Sequence, residues 1–261
     1  MHIVNDIPFS SERFDSEEAA LFQHWLTILN GTGVPYVVCG AFAVFAYTSI
    51  WRNTKDLDVF IKSSDLRHLL RSMGRENYVT EVRDVYWLAK ICREPYFMDV
   101  IFGFQNHKLK IDDSWMDRAI PLTILDVPTR ICSLEELIAS KVYVARHDRF
   151  DGSDILHLIM AANGKVDWDR IVNLLNEDRL LLLWHLLLFQ YVYPGRCDLL
   201  PRELMASLFE EVKEEWRSPP PENDFYGIVL DPVRFSADLE CWGMKNKRNG
   251  RPLVDEKGKK I

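Results

Sequence analysis

Residues 53–62, NTKDLDVFIK, constrain the fold more than any other stretch of the chain. Val59, Phe60 and Ile61 are stiff, apolar and suited to a buried strand. Asp56 and Asp58 stand at the mouth of that strand. Side chains two apart on a strand point to the same side, so the two carboxylates converge on one point. Like charges that close repel, and apolar neighbours make both ions costly. A divalent cation relieves that cost, and Mg²⁺ favours hard oxygen ligands completed by water and phosphate. The spacing reads as half of a metal site. A pair of surface acids at a strand end is the plainer alternative.

The surroundings of the pair sharpen the reading. In VPYVVCG followed by AFAVFAYTS, a short buried strand runs through Cys39 into Gly40, and a helix starts directly after. N–H groups at a helix start attract anions, and glycine lets a phosphate come close. Arg52, Thr54 and Lys55 lie just ahead of the acids and are candidates for holding phosphate oxygens. Asp99, in YFMDVIFG, is a single acid inside an apolar strand, a residue that seldom goes inside without a partner. A neighbouring strand would bring it beside Asp56 and Asp58. Facing water on an edge strand is its other option.

Before these motifs, DSEEAALFQHWLTILNGTG has helical spacing of Phe22, Trp25, Leu26 and Leu29, with Asp15 and Glu18 as a capping box and Gly31 and Gly33 as stops. After them, SSDLRHLLRSMG is a capped helix, and YVTEV, VYWLAKIC and YFMDVIFGF are β-rich. The expected class is α+β, a mixed sheet flanked by helices and followed by an all-helical lobe. The character changes near Pro128, so three parts are expected: a core over residues 1–127, a helical lobe over 128–216, and a linker and tail over 217–261. In the lobe, SLEELIASKVYVARHDRF carries a second capping box, Ser133 to Glu136. GSDILHLIMAANG and DWDRIVNLLN are led by cap residues.

Three motifs in order resemble the nucleotidyltransferase superfamily related to DNA polymerase β. They are Gly40-Ala41 at a strand–helix turn, Asp56-x-Asp58 on the next strand, and Asp99 on a later one. The wording R-x-T-x-D-x-D and the distance from Gly40 to Asp56 are similar to the AbiEii-type, toxin-related branch. That branch also has a helical lysine and a following acid, which Lys141 and Asp154 (or Asp151) match. The resemblance covers about residues 30–165. It implies that Asp56, Asp58 and Asp99 bind two Mg²⁺ (or Mn²⁺) ions, and that Gly40, Ala41, Arg52, Thr54, Lys141 and Asp154 hold a nucleoside triphosphate. An NMP would pass to an acceptor hydroxyl of a small molecule, tRNA or protein, with pyrophosphate released and Asp99 orienting or accepting the hydroxyl's proton. Where the family has Ser or Gly, this chain has Ala41, which leaves only the backbone to touch phosphate. A domain that keeps the fold to bind a nucleotide or partner without turnover is the alternative, and an antitoxin-like partner is a third option. A cap by Asp151 or Ser153 is a purely structural reading of the Asp154 region.

Composition removes other classes. A net charge of -7 argues against a broad nucleic-acid-binding face. The five cysteines form no CxxC pair and the seven histidines no HxxxH or HxH, so neither a disulfide framework nor a zinc site is expected, and a reducing cytoplasm fits. GxSxG and GxxxxGK[ST] are missing. The polar, acidic start is no secretory signal, and LLLLWHLLLFQYVY falls short of the roughly 20 residues of a membrane span. The basic end, from Lys245 to Lys260, is expected to be a solvated tail.

Overall fold

The computed structural model describes residues 14–247. Two compact units divide the chain. One holds the described residues up to Gln105 together with Lys110–Leu137; the other holds Asn106–Leu109 and the described residues from Ile138 onward.

The first unit is built on one mixed sheet. Its strands are β1 (Tyr36–Val38), β2 (Asp56–Ile61), β3 (Val79–Asp84), β4 (Leu88–Arg93), β5 (Tyr96–Ile101), β6 (Ile120–Ile124) and β7 (Val127–Ile131), in the spatial order β3-β4-β5-β2-β1-β7-β6. β2 runs parallel to β5 and antiparallel to β1, while β1 runs parallel to β7. The helices of this unit are α1 (Ser16–Thr32), α2 (Gly40–Thr48), α3 (Leu66–Arg75) and α4 (Asp113–Asp117), and α5 (Leu134–Val142) spans its boundary. α1 starts where the sequence marks it: the Asp15 carboxylate accepts from the Glu18 N–H at 2.7 Å, and Gly33 ends it in the left-handed conformation. Phe22, Trp25, Leu26 and Leu29 are wholly buried, as are Leu57, Ile61, Leu69 and Met73. The alternation in β2 follows: Leu57, Val59 and Ile61 face this core, and Asp56 and Asp58 face the other way, half-exposed.

The expected break at 127/128 falls inside β7. The hairpin β6–β7 is a tight one, closed by Leu125 and Asp126, both at positive φ (47° and 63°). No Asn-Gly or Asp-Gly advertises such a turn; Gln23 of α1 supports it by donating to the Leu125 carbonyl at 3.0 Å. Pro128 is tolerated because β7 meets β1 only at Val38–Ile131, so its missing N–H interrupts no ladder there. The chain passes to the second unit inside α5 instead.

The second unit contains α6 (Gly152–Ala162), α7 (Trp168–Leu175), α8 (Leu180–Val192), α9 (Arg202–Arg217) and α10 (Ser236–Cys241), with a two-stranded parallel pair, β8 (Asp224–Phe225) and β9 (Lys245–Asn246). Residues past 217 are therefore more than a linker: Lys247 pairs with Asp224 at 3.1 Å, and Asp231 is buried. The remaining basic residues of the tail, and the start of the chain, lie outside the described residues. Among the described residues no helix is long and apolar enough to cross a membrane. None of the five cysteines, all among the described residues, is joined in a disulfide.

Candidate active site

Register brings the three acids together. In the parallel pairing of β2 with β5, Asp58 lies directly opposite Asp99 and Asp56 opposite Phe97. Asp56, Asp58 and Asp99 each offer a carboxylate oxygen, and these oxygens lie within 4.8 Å of one another. At that separation each like-charged pair costs about 3 kcal/mol at an effective dielectric near 20. The cluster thus draws cations, and its donors are the hard oxygens that Mg²⁺ and Mn²⁺ prefer.

The strand–helix turn closes on the same point. The Cys39 N–H donates to the Asp58 carbonyl at 2.9 Å, which ties the end of β1 to β2. Gly40 follows at φ +57° and opens α2. A Cβ on Gly40 would lie 1.8 Å from Asp58 Oδ2 and 2.6 Å from its Cγ. Glycine is required here twice over, by the left-handed backbone and by the carboxylate against it. Cys39 supplies no side-chain cap to α2. Ala41 is in the first turn of α2 and half-exposed.

Two neighbours complete the surroundings of the acids. The Thr54 hydroxyl donates to the Asp56 carboxylate. The sequence names Thr54 as a candidate for holding phosphate oxygens; here its hydroxyl lies against the Asp56 carboxylate. Lys90, which the sequence did not single out, faces the site from β4. Its register partner is Asp99, and its ammonium stands 2.7 Å from Asp99 Oδ1 and 3.6 Å from the Phe97 ring centroid. The only trace of this in the sequence is a lysine within the apolar run VYWLAKIC, and its pairing depends on a register that no local pattern encodes. Arg52 and Lys55 are exposed on the loop ahead of β2.

A family model described as nucleotidyltransferase of unknown function (DUF6036) matches residues 19–190, more than half of the chain. The chain belongs to this nucleotidyltransferase family. No curated protein matches it in sequence. Solved structures similar to it include antibiotic-resistance factor ANT(2'')-Ia, at 15% identity and TM-score 0.45, covering 64% of this chain and 93% of that one. Lincosamide antibiotic adenylyltransferase LnuA bound to lincomycin has 18% identity and TM-score 0.40 over 55% of this chain and 95% of its own. An antigenic nucleotidyltransferase-like protein from Paracoccidioides brasiliensis has 15% identity and TM-score 0.44, covering 71% and 91% respectively.

Lys141, Asp151 and Asp154 belong to the other unit and form a cluster of their own. The Lys141 ammonium is 2.8 Å from Asp151 and 2.9 Å from Asp154, and all three residues are buried. Burial opposes the charge on Lys141, but the two carboxylates outweigh it and hold the ammonium pKa above its ordinary value. Burial likewise pushes Asp151 up, and hydrogen bonds from Arg149 with the nearby Lys141 charge bring it below the usual carboxylate value. Lys141 is therefore not a solvated lysine on an amphipathic helix. Asp151 does not cap α6, because Lys141 and Arg149 take its carboxylate. The expected Ser133–Glu136 capping box is replaced too. Buried Glu135 and Glu136 both pair with Arg118, at 3.2 and 3.4 Å, and the Ser133 hydroxyl has no hydrogen-bond partner among the described residues.

Proposed function

We propose that this member of the nucleotidyltransferase family is an active, metal-dependent enzyme that moves an NMP from an NTP to an acceptor hydroxyl and releases pyrophosphate. One observation carries the reading: three carboxylates from two adjacent strands converge beside a glycine turn in a chain of this family. A relic kept only to bind has no use for such a concentration of like charge.

In this reading Asp56 and Asp58 hold Mg²⁺ or Mn²⁺, and Thr54 fixes the rotamer of Asp56. The cation, when bound, supplies electrostatic stabilisation to the phosphates and the leaving oxygen. The backbone at Gly40 and Ala41 admits a phosphate, and exposed Arg52 and Lys55 reach its outer oxygens. Asp99 receives the proton of the acceptor hydroxyl as it attacks the α-phosphorus. Lys141 and Asp154 take no part, because their charges satisfy each other. The R-x-T-x-D-x-D wording and the distance from Gly40 to Asp56 support the AbiEii-type branch, and five scattered cysteines without a CxxC pair suit a reducing compartment such as the cytoplasm. The acceptor is a small molecule, a tRNA end or a protein side chain.

The test is transfer of label from α-³²P NTPs, each base in turn, onto an acceptor panel with Mg²⁺. Asp56→Ala and Asp58→Ala are each expected to abolish labelling. Undiminished labelling by either variant refutes the assignment.

A further inference from the structure

In place of the two divalent ions that the family resemblance implies, we infer that the site takes one, on Asp56 and Asp58, and that Lys90 stands where the second would act. The inference rests on the metal-dependent reading above and concerns how the cluster is neutralised.

Lys90 is not a mobile surface lysine that happens to touch an acid. Antiparallel pairing of β4 with β5 sets it directly across from Asp99, so its reach to that carboxylate is fixed by the ladder. Its ammonium has two anchors, the Asp99 oxygen at 2.7 Å and the face of Phe97 at 3.6 Å. Phe97 is two residues before Asp99 on the same strand and so shares its side of the sheet. The Lys90 and Asp99 side chains are only 20% and 17% exposed, which leaves the pair weakly screened by solvent.

An ion coordinated by Asp99 would sit about 2 Å from a carboxylate oxygen. It would then lie within a few ångströms of an ammonium that strand pairing and an aromatic face hold in place. Like-charge repulsion at that range, in a half-buried site, disfavours a second ion while Lys90 stays. Asp56 and Asp58 stand one strand further from β4, since β5 lies between. Lys90 thus acts as a built-in counter-cation that keeps Asp99 from becoming a metal ligand. It is a positioning residue, because it acts through Asp99.

Ion counting decides the matter without reference to turnover. Crystals of the full chain are soaked with Mn²⁺ and the α,β-methylene analogues of the four NTPs in turn, and the Mn²⁺ anomalous peaks are counted. Calorimetric titration with Mn²⁺ gives the same count in solution. The wild type and Lys90→Arg are expected to hold one ion per chain, on Asp56 and Asp58, and Lys90→Met is expected to gain a second beside Asp99. Two ions in the wild type, one of them on Asp99, overturn the inference and leave the enzyme reading intact. A single ion in folded Lys90→Met overturns it as well. A wild type that binds no Mn²⁺ with any analogue, and transfers no label, brings down the enzyme reading and this inference with it.

Discussion

Replacing Gly40 by alanine separates two penalties that the structure places on one atom. The first is the left-handed backbone at φ +57°, which costs an L-residue about 1–2 kcal/mol. The second is overlap: the new Cβ would stand 1.8 Å from Asp58 Oδ2, 2.6 Å from Cγ and 2.9 Å from Cβ, and such overpacking costs about 1–3 kcal/mol. Gly40→Ala should therefore destabilise by about 2–5 kcal/mol. In an Asp58→Ala background the two closest atoms are gone, and mainly the backbone penalty of about 1–2 kcal/mol remains. The double-mutant cycle should show a coupling of about 1–3 kcal/mol, with each variant alone more costly than its effect in the other's presence. Urea denaturation followed by tryptophan fluorescence measures all four corners. Displacement of the Asp58 carboxylate should also weaken Mn²⁺ binding by about tenfold or more in Gly40→Ala, read by calorimetry. An equal cost of Gly40→Ala in both backgrounds refutes the claim that Asp58 is what excludes a side chain at this turn.

Lys141→Met should destabilise by about 3–5 kcal/mol, because it removes the buried ammonium that Asp151 and Asp154 share and leaves Arg149 as the cation on Asp151; a loss under about 1 kcal/mol in denaturant would show that the cluster is not structural. Asp231 is buried, which raises its pKa. The N–H groups of Arg234 and His147 and the His147 ring more than offset this, and bring it to about 2. A depressed folded-state pKa contributes stability above the unfolded value near 3.8 that is lost as pH falls toward 2. The shift amounts to about 2 kcal/mol. The stability gap between wild type and Asp231→Asn, measured in urea, should accordingly shrink by about that amount between neutral pH and pH 2. A gap that does not change with pH would sink this assignment.

Much of the site was legible because its signals are local. The same-side placement of Asp56 and Asp58 follows from the period of a strand, the start of α1 from the Asp15 carboxylate, and the turn at Gly40 from a glycine between an apolar strand and an apolar helix. These depend on bonds and torsions within a few residues. Asp99 was legible as an acid out of place, and the pairing of β2 with β5 gave it its address. Tertiary structure alone decided the rest. Lys90 meets Asp99 through the register of β4, Thr54 bonds to Asp56, and Lys141 closes on two acids where helical spacing alone would leave it in water. The hairpin at Leu125 and Asp126 forms without a glycine, holding Leu125 at positive φ while Gln23 of α1 bonds its carbonyl. Each of these is a choice among partners for a charge or a polar group. Such choices are settled by which groups the folded chain brings within a few ångströms and shields from water, and the order of residues along the chain does not contain that distance.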